Sequence, residues 1–155
     1  SESAKVITLY SLSKRSNLAG YRAGFVAGNS EVISELLEVR KHIGLMTPGP
    51  VQQAMIAALA DEEHVQVQRE RYRNRRVLLR QAFESAGFTV EHSQAGLYLW
   101  MTRNEDCWQS ATWLSERGIL VAPGSFYGEK CRQYIRAALT VTDERVVAAV
   151  KRLAS

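Results

Sequence analysis

Ser11-Leu12-Ser13-Lys14-Arg15-Ser16-Asn17-Leu18-Ala19-Gly20-Tyr21-Arg22-Ala23-Gly24 sets one lysine between two serines and places, eight positions later, an arginine framed by Gly20 and Gly24. The apolar run Val6-Ile7-Thr8-Leu9-Tyr10 precedes it and Ala23-Gly24-Phe25-Val26-Ala27-Gly28 closes it, so the frame reads as strand, loop, strand. A lysine leaving a buried strand among small side chains is expected to be partly desolvated, which lowers its pKa and makes the amine nucleophilic toward carbonyls. Ser11 and Ser13 add hydroxyl donors, Arg22 adds a bidentate fork for a phosphate, and the glycines allow close backbone approach. Such a loop fits an aldehyde that carries a phosphate. An isolated lysine or arginine is most often a surface charge; the grouping of all five features argues against that here.

Outward from the loop, residues 4–10 are expected to form a buried strand of parallel type, with neighbours on both sides, and 11–22 a loop. A chain that enters such a strand within a few residues of Ser1 is expected to lack an N-terminal portion. Ser30 as N-cap, with Glu31 behind it, opens a helix that runs to Gly44 through Val32, Ile33, Leu36, Leu37 and Ile43. Thr47-Pro48-Gly49-Pro50 breaks the chain, and Val51 to Ala60 is a small-residue helix. A longer helix follows, with Val65, Tyr72, Leu79, Phe83 and Ala86 on one stripe and Gly87 as its stop. Beyond it, Phe88 to Val90, Leu97 to Met101, Ile119 to Val121 and Tyr134 to Leu139 read as strands, with helices over Cys107–Arg117 and after Thr142. The division expected is 1–62 as the end of an α/β domain, 63–86 as a connecting helix and 87–155 as a small α+β lobe.

The 155 residues, 46% of them hydrophobic, suffice for one ordinary core or two small lobes and exclude a disordered polar tail. The net charge of +4 comes largely from Arg69, Arg71, Arg73, Arg75, Arg76 and Arg80. These occupy several helix faces, alternate with Glu70 and lack an aromatic platform, so nucleic acid is not the expected partner. Cys107 and Cys131 have no CxxC pattern and no histidine at ligand spacing, which points to no metal and no disulfide framework. His42, His64 and His92 are not spaced as ligands. No apolar run approaches about 18 residues, so no membrane span is expected, and the setting expected is cytoplasmic.

The run from Ser11 to Gly24 resembles, position by position, the lysine signature of the class I/II, fold-type-I, pyridoxal-phosphate-dependent aminotransferases. The resemblance implies the C-terminal part of that α/β fold, with pyridoxal 5′-phosphate as cofactor, Lys14 bound to it covalently, and Ser11, Ser13 and Arg22 around it, Ser11 and Arg22 on its phosphate. Ala95-Gly96-Leu97-Tyr98-Leu99-Trp100 is similar to the family's substrate-pocket segment and Tyr134-Ile135-Arg136-Ala137-Ala138-Leu139 to its carboxylate-binding strand. Arg136 is therefore implied to grip the substrate α-carboxylate, with Tyr98 and Gly96 beside it. The bland reading of Arg136 is an edge-strand arginine paired with a surface acid.

Within the family, the lysine run together with His42-Ile43-Gly44-Leu45-Met46 and Pro48-Gly49-Pro50-Val51-Gln52 is most similar to the N-succinyldiaminopimelate aminotransferases. That implies amino-group exchange between N-succinyl-LL-2,6-diaminopimelate and 2-oxoglutarate, toward diaminopimelate and lysine, in a homodimer. The family's upstream Asp, Tyr, Asn and phosphate turn have no counterpart in the thirteen residues before Lys14, so the activity is expected of a longer parent chain and not of these residues alone. Two alternatives keep the cofactor: a C–S lyase, and a cofactor-sensing transcription regulator, which requires a winged helix upstream.

Overall fold

The computed structural model describes residues 5–44 and 46–154; Leu45, quoted above, lies outside them. The chain divides into two compact units, one extending to Val67 and the other beginning at Gln68.

In the first unit, strand β1 (Ile7–Ser11) pairs antiparallel with β2 (Gly24–Gly28), with Tyr10 opposite Phe25 and Ser11 opposite Gly24. This corrects the expectation of a buried strand of parallel type: all five β1 residues are exposed, Leu9 at 76%. Apolar identity marks the strand, but burial needs a covering layer, and a two-stranded ribbon supplies none. The Tyr10 and Phe25 rings stack across the pair at 5.2 Å. A Cβ on Gly24 would lie 2.5 Å from the Tyr10 carbonyl oxygen, so only glycine fits this register.

The expected loop between these strands contains a single helical turn, α1 (Leu12–Arg15), and a 3-10 turn over Ala19–Tyr21. Helix α2 (Ser30–Ile43) is capped by Asn29 and not by Ser30, because the Asn29 Oδ1 accepts from the Val32 amide at 3.1 Å. Helix α3 (Gly49–Ala60) has Pro50 in its first turn, where a missing amide proton costs nothing. Helix α4 (Glu63–Ser85) begins on Asp61, whose Oδ1 accepts from the Glu63 and His64 amides at 2.9 and 3.3 Å. The His64 amide bond is the main reason that the Asp61 carboxyl titrates below the usual aspartate value.

In the second unit, β3 (Thr89–Glu91), β4 (Tyr98–Thr102), β5 (Ala122–Pro123) and β6 (Tyr134–Ala138) form an antiparallel sheet in the order β3-β4-β6-β5. One sheet face carries Leu99, Met101, Ile135 and Ala137 into a core with Leu79 and Phe83 of α4, Leu114 of α5 (Cys107–Glu116) and Val146 of α6 (Asp143–Leu153). Each of these side chains except the small Ala137, fully buried, contributes about 1.5–3 kcal/mol.

The strand expected at Ile119–Val121 is displaced to Ala122–Pro123. Gly118 and Ile119 close α5 by donating to the carbonyls of Ser115 and Leu114, so this segment is still leaving the helix, with Leu120 93% exposed. Thr142 holds the N-cap position of α6 without a side-chain cap bond.

Two residues of the arginine run have internal work. Arg75 donates to the Leu139 carbonyl and pairs with Asp143 at 2.6 Å, and Arg76 donates to the carbonyls of Ala95 and Gly96. They fasten α4 to the end of β6 and to the turn before β4. Among the described residues no helix is long and apolar enough to cross a membrane, and no three His, Cys, Asp or Glu side chains group as metal ligands.

Candidate active site

The lysine loop hangs on Leu12, which is 0% exposed and whose carbonyl accepts from the amides of Ser16 and Leu18 at 3.0 and 3.4 Å. The Ser11 Oγ caps the turn by accepting from the Ser13 amide at 3.2 Å. That leaves the Ser11 hydroxyl proton for another acceptor. Lys14 stands on this turn, exposed, with no hydrogen bond or ion pair among the described residues. The partial desolvation expected for it is not found: the turn lies at the surface of its unit and leaves the Lys14 side chain exposed.

Arg22 ends the following 3-10 turn at φ +50°, in the left-handed region that non-glycine residues seldom occupy, and its guanidinium donates to the Ala19 carbonyl at 3.0 Å. Asn17, at φ +56°, is a second such residue in the same loop. Strain of this kind persists only where the surroundings fix it. Ser11, Ser13 and Arg22 line one open cavity of about 510 Å³ together with Gly24 and Arg40, whereas Lys14 is not part of its wall.

Arg136 lies on β6 between two neighbours, opposite Trp100 of β4 and Ala122 of β5. It is therefore not an edge-strand residue, and among the described residues no carboxylate pairs with it, so the bland reading fails on both counts. Its guanidinium lies over the Tyr98 ring, 4.0 Å from the centroid, and 5.0 Å from that of Tyr127. Gly96, at φ +87°, precedes β4 and accepts from Arg76 through its carbonyl. Tyr127 is a residue that sequence reasoning misses: it lies in a 3-10 turn (Gly124–Tyr127) with no local pattern to mark it.

Two hydroxyls and a guanidinium on one cavity, in the loop that also carries an exposed primary amine, and a guanidinium on an interior strand with no carboxylate partner among the described residues, are the features of the two units. The sequence model of the family Aminotransferase class I and II matches residues 1–153. The chain belongs to the class I and II aminotransferases. It is 62% identical over 148 residues to the probable aminotransferase Rv1178 of Mycobacterium tuberculosis, covering 96% of this chain and 35% of that protein. It is 58% identical to the 4-dedimethylamino-4-oxo-anhydrotetracycline transaminase OxyQ of Streptomyces rimosus, over 96% of this chain and 41% of that one. Among solved structures, the probable N-succinyldiaminopimelate aminotransferase of Thermus thermophilus superposes with a TM-score of 0.82 at 31% identity, covering 95% of this chain and 40% of that chain. The chain thus has the aminotransferase fold and spans about two fifths of the length of such relatives. Aminotransferases of this class use pyridoxal phosphate.

Proposed function

We propose that this chain carries the cofactor lysine and the carboxylate arginine of a pyridoxal-phosphate-dependent aminotransferase acting between an amino acid and a 2-oxo acid. The observation that carries the reading is the placing of Ser11, Ser13 and Arg22 on one cavity within the loop that presents Lys14 as an unengaged amine. These donors fit the cofactor: two hydroxyls and a guanidinium for a phosphate, and a primary amine for an aldehyde.

When bound, the cofactor supplies the aldehyde that receives the amino group and an electron sink conjugated to it. Lys14 would hold the cofactor through its amine, and as a free amine would be the group able to take or give a proton at the substrate Cα. Ser11 and Arg22 would anchor the cofactor's phosphate, with Ser13 beside them. Arg136 takes the substrate α-carboxylate in a two-bonded pair, Tyr98 backs its guanidinium, and Gly96 keeps the pocket edge free of a side chain.

The donor we favour is N-succinyl-LL-2,6-diaminopimelate with 2-oxoglutarate as acceptor, toward lysine, in a cytoplasmic homodimer. Its support is the run of motifs around Lys14 and the likeness to the Thermus protein, with LL-diaminopimelate aminotransferases such as that of Aquifex aeolicus at 36% identity. The 58% identity to OxyQ favours a second reading, a polycyclic ketone as acceptor. Relative rates with the two acceptor classes in the active enzyme separate these readings.

The phosphate clamp is tested by titrating the chain with pyridoxal phosphate and, separately, with pyridoxal. The phosphate ester binds at least about tenfold more tightly, the worth of one or two charge-assisted hydrogen bonds, and Arg22→Ala removes most of that difference. Equal affinity for the two aldehydes contradicts the reading.

A further inference from the structure

The sheet face turned away from the core of the second unit carries Tyr98 and Trp100 of β4 and Tyr134 and Arg136 of β6, because strand alternation sends Leu99, Met101, Ile135 and Ala137 the other way. On that face one guanidinium sits among aromatic rings, and the acid that shares the face, Glu91 of β3 opposite Trp100, makes no ion pair with it. We infer that Tyr127 is a positioning residue for Arg136: it completes an aromatic clamp that holds the guanidinium by its π-face and keeps its N–H edge available for a carboxylate ligand. The carboxylate part of this inference rests on the aminotransferase reading; the clamp itself does not.

Four observations carry it. The Arg136 guanidinium is 4.0 Å from the Tyr98 centroid and 5.0 Å from that of Tyr127, both within the range of cation–π attraction. Tyr127 is itself fixed, edge-on to Trp100 at 5.7 Å, and Trp100 stacks flat on Tyr134 at 5.2 Å and 12°. The nearby acid is occupied elsewhere: Glu91 accepts from the Tyr134 hydroxyl, and its charge is the main reason that this phenol titrates above its usual value. Finally, the turn that delivers Tyr127 is tied to the strand that carries Arg136. Ala122 and Pro123 pair with Arg136 and Ile135, and the turn starts at the buried Gly124, where a Cβ would meet the Cys131 and Tyr134 carbonyl oxygens.

The physical logic is a choice of partner. A half-buried guanidinium paired with a carboxylate would spend its fork on that acid, and a ligand would have to displace it. Aromatic faces attract the same charge through the ring quadrupole and leave the fork unspent. Tyr127 itself remains 45% exposed, so truncating it removes only part of a buried surface.

The experiment uses nitrogen-15 spectroscopy of the 155-residue chain, following the Arg136 Nε–H resonance, identified by its loss in Arg136→Lys. In the native chain that resonance is expected to be shifted by the ring currents of Tyr98 and Tyr127. Tyr127→Leu removes about half of the shift and Tyr127→Phe keeps it, while the amide spectrum shows each variant folded. Addition of 2-oxoglutarate then moves the resonance in the native chain and in Tyr127→Phe, with about five- to tenfold weaker affinity in Tyr127→Leu. An unchanged resonance in folded Tyr127→Leu overturns the clamp. A clamp intact by that criterion but indifferent to 2-oxoglutarate overturns the carboxylate role of Arg136. Should Tyr127→Leu fail to fold, Tyr98→Leu and Tyr127→Phe are read in the same way, and a Tyr127→Phe resonance displaced from the native one counts against the clamp.

Discussion

The Leu12 carbonyl accepts a hydrogen bond from the Leu18 amide at 3.4 Å, closing the chain around Lys14 on the side chain of Leu12, which is 0% exposed. The lysine is thus presented by a turn whose only buried anchor lies two residues before it. Leu12→Ala removes that anchor and is expected to cost about 2–5 kcal/mol in the first unit, read as a lowered midpoint in chemical denaturation followed by the Tyr10 and Tyr21 signals. Lys14→Ala, whose side chain is exposed, is expected to leave the midpoint within about 0.5 kcal/mol.

Arg76 fastens the turn at Ala95 and Gly96 through a guanidinium that burial makes somewhat easier to deprotonate than a free one. Arg76→Ala leaves two carbonyls without this donor and is expected to destabilise the second unit by about 1–3 kcal/mol. Arg76→Lys recovers less than half of the loss, because one ammonium does not reproduce the fork. Thermal unfolding of the three proteins measures this.

A Cβ at Gly124 would sit 1.9 Å from the Cys131 carbonyl oxygen and 2.5 Å from that of Tyr134, both backbone atoms. Gly124→Ala therefore displaces the 3-10 turn and costs about 1–3 kcal/mol or more. Gly128→Ala, where the added atom meets nothing within 4 Å, is unfavourable only through its φ of +115° and serves as the comparison.

Asp61 supplies the pH-dependent prediction. Its carboxyl titrates below 3.8 in the folded chain, mainly through the His64 amide, so the carboxylate favours the folded state. The stabilisation is complete above the ordinary aspartate range and is lost as pH falls through the lower folded-state value. Asp61→Asn keeps a cap oxygen but loses this dependence. The difference in melting temperature between the two proteins is expected to be largest near neutrality and to shrink below about pH 4.

Much of this was legible in the sequence because short patterns report local geometry. Helical spacing from Val32 to Ile43 and from Val65 to Ala86 located α2 and α4, and the alternation around Leu99 and Ile135 located the two central strands of the second sheet. Burial was less legible: Val6 to Tyr10 reads as a core strand, yet its burial depends on a covering layer that no pattern inside it specifies. The one-turn helix at Leu12 was hidden because four residues carry no period. In the site, the Lys14 spacing was the readable part. The Arg136 clamp was not, since Tyr98 reaches Arg136 only across the β4–β6 pair and Tyr127 only from the 3-10 turn that follows β5.

The central claim is that this loop makes one of five lysines the partner of a phosphorylated aldehyde. Its most direct test is to load the chain with substoichiometric pyridoxal phosphate, trap the adduct with borohydride and map the pyridoxyl group by peptide mass. The account predicts label on the peptide containing Lys14, diminished in Arg22→Ala. Label spread evenly over Lys5, Lys14, Lys41, Lys130 and Lys151, or concentrated on a lysine other than Lys14, would contradict it.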